Sequence, residues 1–218
     1  MTTPSGPKLV LYSEQRAALS GAVDARLLEL LPAARGGIGY LPSAPDRERR
    51  WFGACERHYA CYDISLEFLG LEDEFDVAKL ADLSRFAALH LSGGNTFRFL
   101  HWLRARGLIA ELQRYAAAGG VLIGVSAGAI LMTPDIGSAA LCGDAPYPAL
   151  PDNAGLGLVD FELLPHFDGA PLQQAALTQL AAESGRVAYG VPDGSGIVID
   201  GASVQLIGRV VCRTGFSK

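Results

Sequence analysis

Cysteine is scarce and badly spaced for pairing. The four residues, at 55, 61, 142 and 212, form no CxxC motif, so neither a metal site nor a disulfide framework is indicated and buried free thiols are expected. Long apolar runs are missing too. Half of the 218 residues are hydrophobic, yet charges and turn residues interrupt every stretch before the roughly 20 residues that span a bilayer. No transmembrane helix is expected, and the first eight residues lack a basic-then-apolar leader. A cytoplasmic location is the resulting default. Lys8 is the only lysine before residue 79, and no Gly-x-Gly-x-x-Gly follows an early strand, which gives phosphate or dinucleotide binding little support. The net charge of −5 comes from dispersed acids and bases, an argument against a nucleic-acid surface. The one basic cluster, Arg47, Arg49, Arg50 and Arg57, alternates with Glu48 and Glu56 at helical spacing and reads as a solvated helix face.

What is present is an alternation of short apolar runs with longer amphipathic stretches, the pattern of strands and crossover helices in a largely parallel sheet. Strands are expected at Lys8–Tyr12, Ile38–Leu41, Tyr62–Phe68, Phe86–Leu91, Val121–Ile123, Val159–Leu164 and Val187–Val191, with two or three more in Ile197–Cys212. Helices are expected over Arg16–Leu31, Asp46–Cys61, a short piece ending at Leu83, a long stretch from Thr96 to about Ala118, and Leu172–Ala182. Leu71–Asp76 reads as an acidic loop, and Thr133–Gly157, rich in Pro, Gly, Ala and Asp, as an ordered excursion over the sheet edge. There is no internal repeat. The expectation is one α/β domain, residues 1–218, built as a three-layer sandwich around a mostly parallel sheet.

Three segments carry chemistry. "GVSAGA", residues 124–129, lies between a strand and a helical run, where a Gly-x-Ser-x-Gly turn exposes the serine hydroxyl at a helix N-terminus. Ser126 is the candidate nucleophile, the alternative being a phosphate-binding or structural turn. Of the four histidines, His58 and His101 fall in helices and His90 in a strand; only His166 ends a strand, in "ELLPHFDG", on the edge where open α/β folds place their chemistry. His166 is therefore the candidate base. Asp193, in "YGVPDGSG", ends the next strand on the same edge and is the candidate orienting acid. Asp168, Asp135, Asp144 and Asp152 stay open as alternatives. "SGGNTF", residues 92–97, is a second strand-to-helix loop: Gly94 and Ala127 would supply oxyanion-hole N–H groups, and Asn95 and Thr96 are substrate-binding candidates.

"SGGNTFRFL", "GVSAGA", "LLPHF" and "GVPDG", in this order, resemble the peptidase E family of serine peptidases, which contains aspartyl dipeptidase and has the cyanophycinases as relatives. The resemblance runs from about residue 86 to the C-terminus. It implies a fold like class I glutamine amidotransferase domains (flavodoxin-like), with serine where those have cysteine. It also implies Ser126 as nucleophile, His166 as base, Asp193 where the family usually has glutamate, and Gly94 and Ala127 as oxyanion donors. In aspartyl dipeptidases the segment after the histidine carries a basic motif associated with the substrate aspartate. Here residues 169–185 contain no Lys or Arg, and a pocket without a cation should not favour N-terminal Asp. Arg98 and Arg104 are the candidates to replace it.

The expectation is thus a peptidase of short peptides, with no cofactor, no metal, no nucleic-acid or membrane partner, and self-association left open. Two alternatives are a non-catalytic flavodoxin-like module that binds a small ligand or phosphate, and an esterase-type hydrolase. The esterase order of serine, acid, histidine would require its acid within the about 40 residues separating Ser126 from His166.

Overall fold

The computed structural model describes residues 6–16, 18–32, 36–147 and 150–215. In chain order the elements begin β1 (Lys8–Tyr12), α1 (Gly21–Leu30), β2 (Gly36–Leu41), α2 (Arg50–Ala60), β3 (Leu66–Phe68), α3 (Val77–Leu80), β4 (Phe86–Leu91), α4 (Thr96–Ala105) and α5 (Leu108–Ala117). They continue β5 (Val121–Val125), α6 (Ala127–Ile130), β6 (Phe161–Pro165), α7 (Pro171–Ser184), β7 (Val187–Val191), β8 (Gly196–Asp200), β9 (Ser203–Ile207) and β10 (Val211–Thr214).

Alternation along the strands creates two apolar faces. Leu9 and Leu11 of β1 join one buried cluster, with Leu122 of β5 and Leu89 and Leu91 of β4, while Val10, Tyr12, Val121 and Ile123 join another. A strand apolar on both sides must be covered on both sides. Phe99, Leu103 and Leu112 of α4 and α5 cover the first face; Val23 and Leu27 of α1 and Tyr59 of α2 cover the second. The seven-stranded sheet has the order β3-β2-β4-β5-β1-β8-β9. It is parallel from β3 to β1, and β8 and β9 extend it antiparallel. The result is an α/β fold with helices on both faces of a mostly parallel sheet.

A second sheet, of order β10-β7-β6, stands beside the first. The last strands therefore separate: β8 and β9 finish the large sheet, and β10 leaves to pair with β7. Apolar alternation records that a strand exists but not which neighbour it takes. The first cluster also includes Phe161, Leu163 and Val191, so both sheets share one core.

Several expected elements shorten, each for a local reason. The stretch 16–31 is helical only over Gly21–Leu30, with Ala17 outside the described residues. The helix expected from Asp46 starts at Arg50, because the Asp46 carboxylate accepts from the backbone N–H of Arg50, Trp51 and Phe52 at 2.9, 3.0 and 2.7 Å and caps the first turn. Residues 62–65 do not extend: Asp63 has φ 57° and closes α2, leaving only Leu66–Phe68 as strand. The long helix to Ala118 is two, broken at Gly107 (φ 68°), where a left-handed residue ends a helix at little cost. Arg47 and Arg49 precede α2 and are not bare: they pair with Asp73 and Glu74 of the acidic loop. The thiols also depart from expectation, since Cys61 and Cys212 are exposed and Cys55 and Cys142 are half-buried, all four free. In the 133–157 excursion, Pro148 and Ala149 lie outside the described residues, as do Met1–Ser5. No helix among the described residues is long and apolar enough to cross a membrane.

Polar side chains sit inside the second face. Asp24 is buried and accepts from Tyr12 at 2.9 Å, Ser20 at 3.1 Å and Tyr62 at 3.2 Å, with His58 Nε2 at 3.3 Å. His90 is 1 % exposed, stacked on Tyr40, with Nδ1 3.0 Å from the Tyr59 hydroxyl. Burial, and secondarily the nearby His58, push the imidazole of His90 down to about 3. The unfolded chain then binds a proton that the folded chain refuses, from pH ~6.5 down to about 3, so stability falls with acid by about 1.4 kcal/mol per pH unit from this group alone. Urea unfolding between pH 7 and pH 4 should show stability falling more steeply with acid in the wild type than in His90→Gln, whose side chain cannot protonate, the difference in slope being the contribution of this group.

Candidate functional site

The carboxyl ends of β1, β4, β5, β6 and β7 converge at one edge. β5 runs into a turn at Ser126 with φ 50° and ψ −105°, a sparsely populated backbone state for a non-glycine residue. The flanking glycines make the turn feasible. A Cβ on Gly124 would lie 2.5 Å from the Gly128 carbonyl oxygen, and one on Gly128 would lie 2.1 Å from that of Leu91. The helix behind the turn, α6, is only four residues long, so the local N–H groups, rather than a helix macrodipole, supply the positive field.

His166 follows β6 directly and also has a left-handed backbone, φ 55°. That conformation turns its ring toward the turn after β5: His166 Nε2 stands 2.9 Å from Ser126 Oγ. Nδ1 stands 2.8 Å from Oδ1 of Asp193, two residues beyond β7. Burial acts to raise the Asp193 carboxyl, but hydrogen bonds from Ser13 and His166, and the charge of His166, outweigh it and hold the group below the ordinary carboxylate range. An ionised carboxylate only accepts, so Nδ1 carries a proton and the Nε2 lone pair is left for the Ser126 hydroxyl. That is the tautomer a general base needs. The His166 and Asp193 side chains are 43 % and 45 % exposed, which leaves the row open to an incoming molecule.

The loop after β4 lies beside Ser126. Gly93 faces the serine: a Cβ there would sit 3.7 Å from Ser126 Cβ. Gly94 has φ 128°, and a Cβ on it would fall 2.1 Å from Ser43 Oγ. Ser43 in turn fixes the loop, donating through Oγ to the Gly93 carbonyl at 2.6 Å and through its N–H to Ser92 Oγ at 2.8 Å. Neither the Gly94 nor the Ala127 N–H donates to another group among the described residues.

The other sequence candidates have separate occupations. Asn95 caps α4, accepting from the Arg98 N–H at 2.8 Å and donating to the Ala145 carbonyl at 2.8 Å. Thr96 is fully buried and gives both its N–H and its hydroxyl to Asp144, so it can reach a substrate only by shaping the loop. Asp168 accepts from the Ala170 N–H, Asp135 from the Gly137 N–H, and Asp152 pairs with Arg104. None of these four acids faces His166. Arg98 is held by Glu72 through two bonds of 2.8 and 2.7 Å. His58 and His90 are buried as described, and His101 packs on Tyr147. A cavity of about 460 Å³ lies elsewhere, lined by Asp135, Glu162, Glu183 and Arg186; its buried Glu162 is paired with Arg186 at 3.3 Å.

Sequence reading missed Ser13, which is fully buried just past β1 and touches both His166 and Asp193. The available signal was a hydroxyl at the carboxyl end of an apolar strand; nothing in the sequence says that this strand is central.

The match to known proteins spans the same elements. The model of peptidase family S51 matches residues 9–207. An uncharacterized peptidase of Pasteurella multocida is 36 % identical over 111 residues, 48 % of this chain and 54 % of that protein. Peptidase E of a Nostoc species is 28 % identical over 173 residues, 72 % of this chain and 70 % of its own length. The chain thus spans little more than half of the first of these curated relatives. Among solved structures, a protein assigned to peptidase E from Listeria monocytogenes superposes with a TM-score of 0.73 at 24 % identity, over 92 % of this chain and 97 % of that one. A peptidase from an acI-B1 actinobacterium gives 0.73 at 17 % identity, over 96 % and 91 %. The two superpositions establish a shared fold, and with the family model matched from the first strand to the ninth, the chain belongs to peptidase family S51.

Proposed function

We propose that the protein is a serine peptidase acting on short peptides through an acyl-enzyme on Ser126. One observation carries the reading: a hydroxyl, an imidazole and a carboxylate from three separate loops stand in a row at 2.9 and 2.8 Å, at the open edge of the sheet. Ser126 Oγ attacks the peptide carbonyl carbon as its proton passes to His166 Nε2. Asp193 stabilises the imidazolium so formed. The tetrahedral oxyanion takes hydrogen bonds from the N–H groups of Gly94 and Ala127. His166 then returns the proton to the leaving amine as the C–N bond breaks, and water, deprotonated by His166, hydrolyses the ester. Asn95 and Thr96 hold the oxyanion loop against the 144–145 segment and so shape the substrate cleft.

Of the cations weighed from the sequence, none is free to meet an N-terminal Asp. Residues 169–185 supply no cation, Arg98 is engaged by Glu72 and Arg104 by Asp152. Neutral side chains are the expected preference, since an unpaired carboxylate is costly to desolvate. Hydrolysis of a dipeptide and tripeptide panel tests the assignment. Cleavage that favours neutral N-terminal residues supports it, and an enzyme specific for Asp-X peptides would refute the specificity. Gly94→Ala should lower turnover by about 10²–10³-fold, because a side chain there meets Ser43 and needs a disfavoured φ; the same peptide assay measures it.

A further inference from the structure

We infer that Ser13 is a positioning residue of this site, a fourth group whose hydroxyl fixes both the orienting acid and the backbone of the base. The inference rests on the proposed roles of Ser126, His166 and Asp193.

The hydrogen-bond arithmetic is restrictive. A serine hydroxyl has one proton to give and two lone pairs to accept with. Ser13 Oγ accepts from the His166 N–H at 2.8 Å, an atom that can only donate. Its own proton therefore goes to the other neighbour, Asp193 Oδ1, also at 2.8 Å. That oxygen already accepts from His166 Nδ1. Oδ1 thus takes two donors, and both are tied through Ser13 or His166. Rotation of the Asp193 carboxylate away from the imidazole would break both bonds together.

Location strengthens the case. Ser13 is fully buried, so water cannot replace its hydroxyl. Its own N–H donates to the Ser195 carbonyl at 3.3 Å, on the Asp193 turn, while the preceding Tyr12 carbonyl accepts from the Ser126 N–H at 3.0 Å. The end of β1 is consequently bonded to all three loops that carry the row. His166 also sits in a left-handed backbone state that is disfavoured for a residue with a Cβ. The bond from its N–H to Ser13 holds it there.

A buried serine can be merely structural, and the test must separate that role from positioning. The rate at which a fluorophosphonate labels Ser126 needs no known substrate, and the imidazole Nδ1 proton resonance of His166 reports its bond to Asp193. Ser13→Ala should slow labelling by about 10–100-fold and broaden or shift that resonance, and Ser13→Thr, which keeps the hydroxyl, should recover most of the rate. Wild-type labelling and an unchanged resonance in Ser13→Ala overturn the inference. So does an equal loss in the folded Ala and Thr variants, which would mark a packing effect. If Ser13→Ala does not fold, Ser13→Cys, close in shape but a weak donor, takes its place with the same readouts. Ser126→Ala in parallel separates the two levels. Labelling that persists there overturns the underlying reading, and this one with it; labelling abolished there but normal in Ser13→Ala overturns the role of Ser13 alone.

Discussion

Ser126→Ala is expected to lose roughly 10⁵–10⁶-fold in turnover on any peptide the protein cleaves, with its thermal unfolding little changed. The size follows from the acyl-enzyme: without Oγ there is no atom at 2.9 Å from His166 Nε2 to attack the carbonyl, and only oxyanion and binding contributions remain. The small stability effect follows from what is kept and what is lost. Ser126 occupies φ 50°, ψ −105°, and Ala retains the Cβ and with it that backbone cost; only the exposed bond to His166 is removed. Activity surviving in the Ala variant would sink the serine mechanism outright. Turnover and calorimetry on the same preparation give both numbers.

Asp193→Asn should cost about 10³–10⁴-fold in kcat with KM little altered. The substitution keeps the shape, and keeps the Ser13 contact while the amide oxygen occupies the Oδ1 position, but removes the charge. Two consequences add. An amide cannot stabilise the imidazolium that forms when His166 takes the proton, and its NH₂ group, if turned toward Nδ1, would demand a lone pair there and move the ring proton to Nε2. That is the tautomer unable to accept from Ser126. Asp193 is held ionised because hydrogen bonds from Ser13 and His166 outweigh its burial; a group shifted down in this way keeps its charge through neutral pH and loses it only on acidification. Asp193→Glu is the informative control. It restores the carboxylate with one more methylene, so partial recovery would show that charge matters more than reach.

The residues that meet at the candidate site were largely legible from the sequence because they stand in segments with local signatures. A Gly-x-Ser-x-Gly between strand and helix, a Pro-His after a strand and a Pro-Asp-Gly after the next can each be read within ten residues. Ser13 carries no such signature. It is an ordinary serine after "KLVLY", and its contact with the row comes from β1 lying between β5 and β8 in the sheet, which places residue 13 next to residues 166 and 193. The same reasoning explains Arg98 and Arg104. Charge and spacing left both available as cations for a substrate, and only the folded chain shows them spent on Glu72 and Asp152.

Local sequence determined the strands and helices, the exposed serine turn and the identity of the strand-ending histidine and acid, because backbone sterics and apolar periodicity act over a few residues. Tertiary structure alone decided that the last strands divide between two sheets, that one of five candidate aspartates meets the imidazole, and that a buried hydroxyl joins them. Those outcomes depend on which strands are neighbours, and strand order is set by packing of the whole core, not by any segment's own preferences.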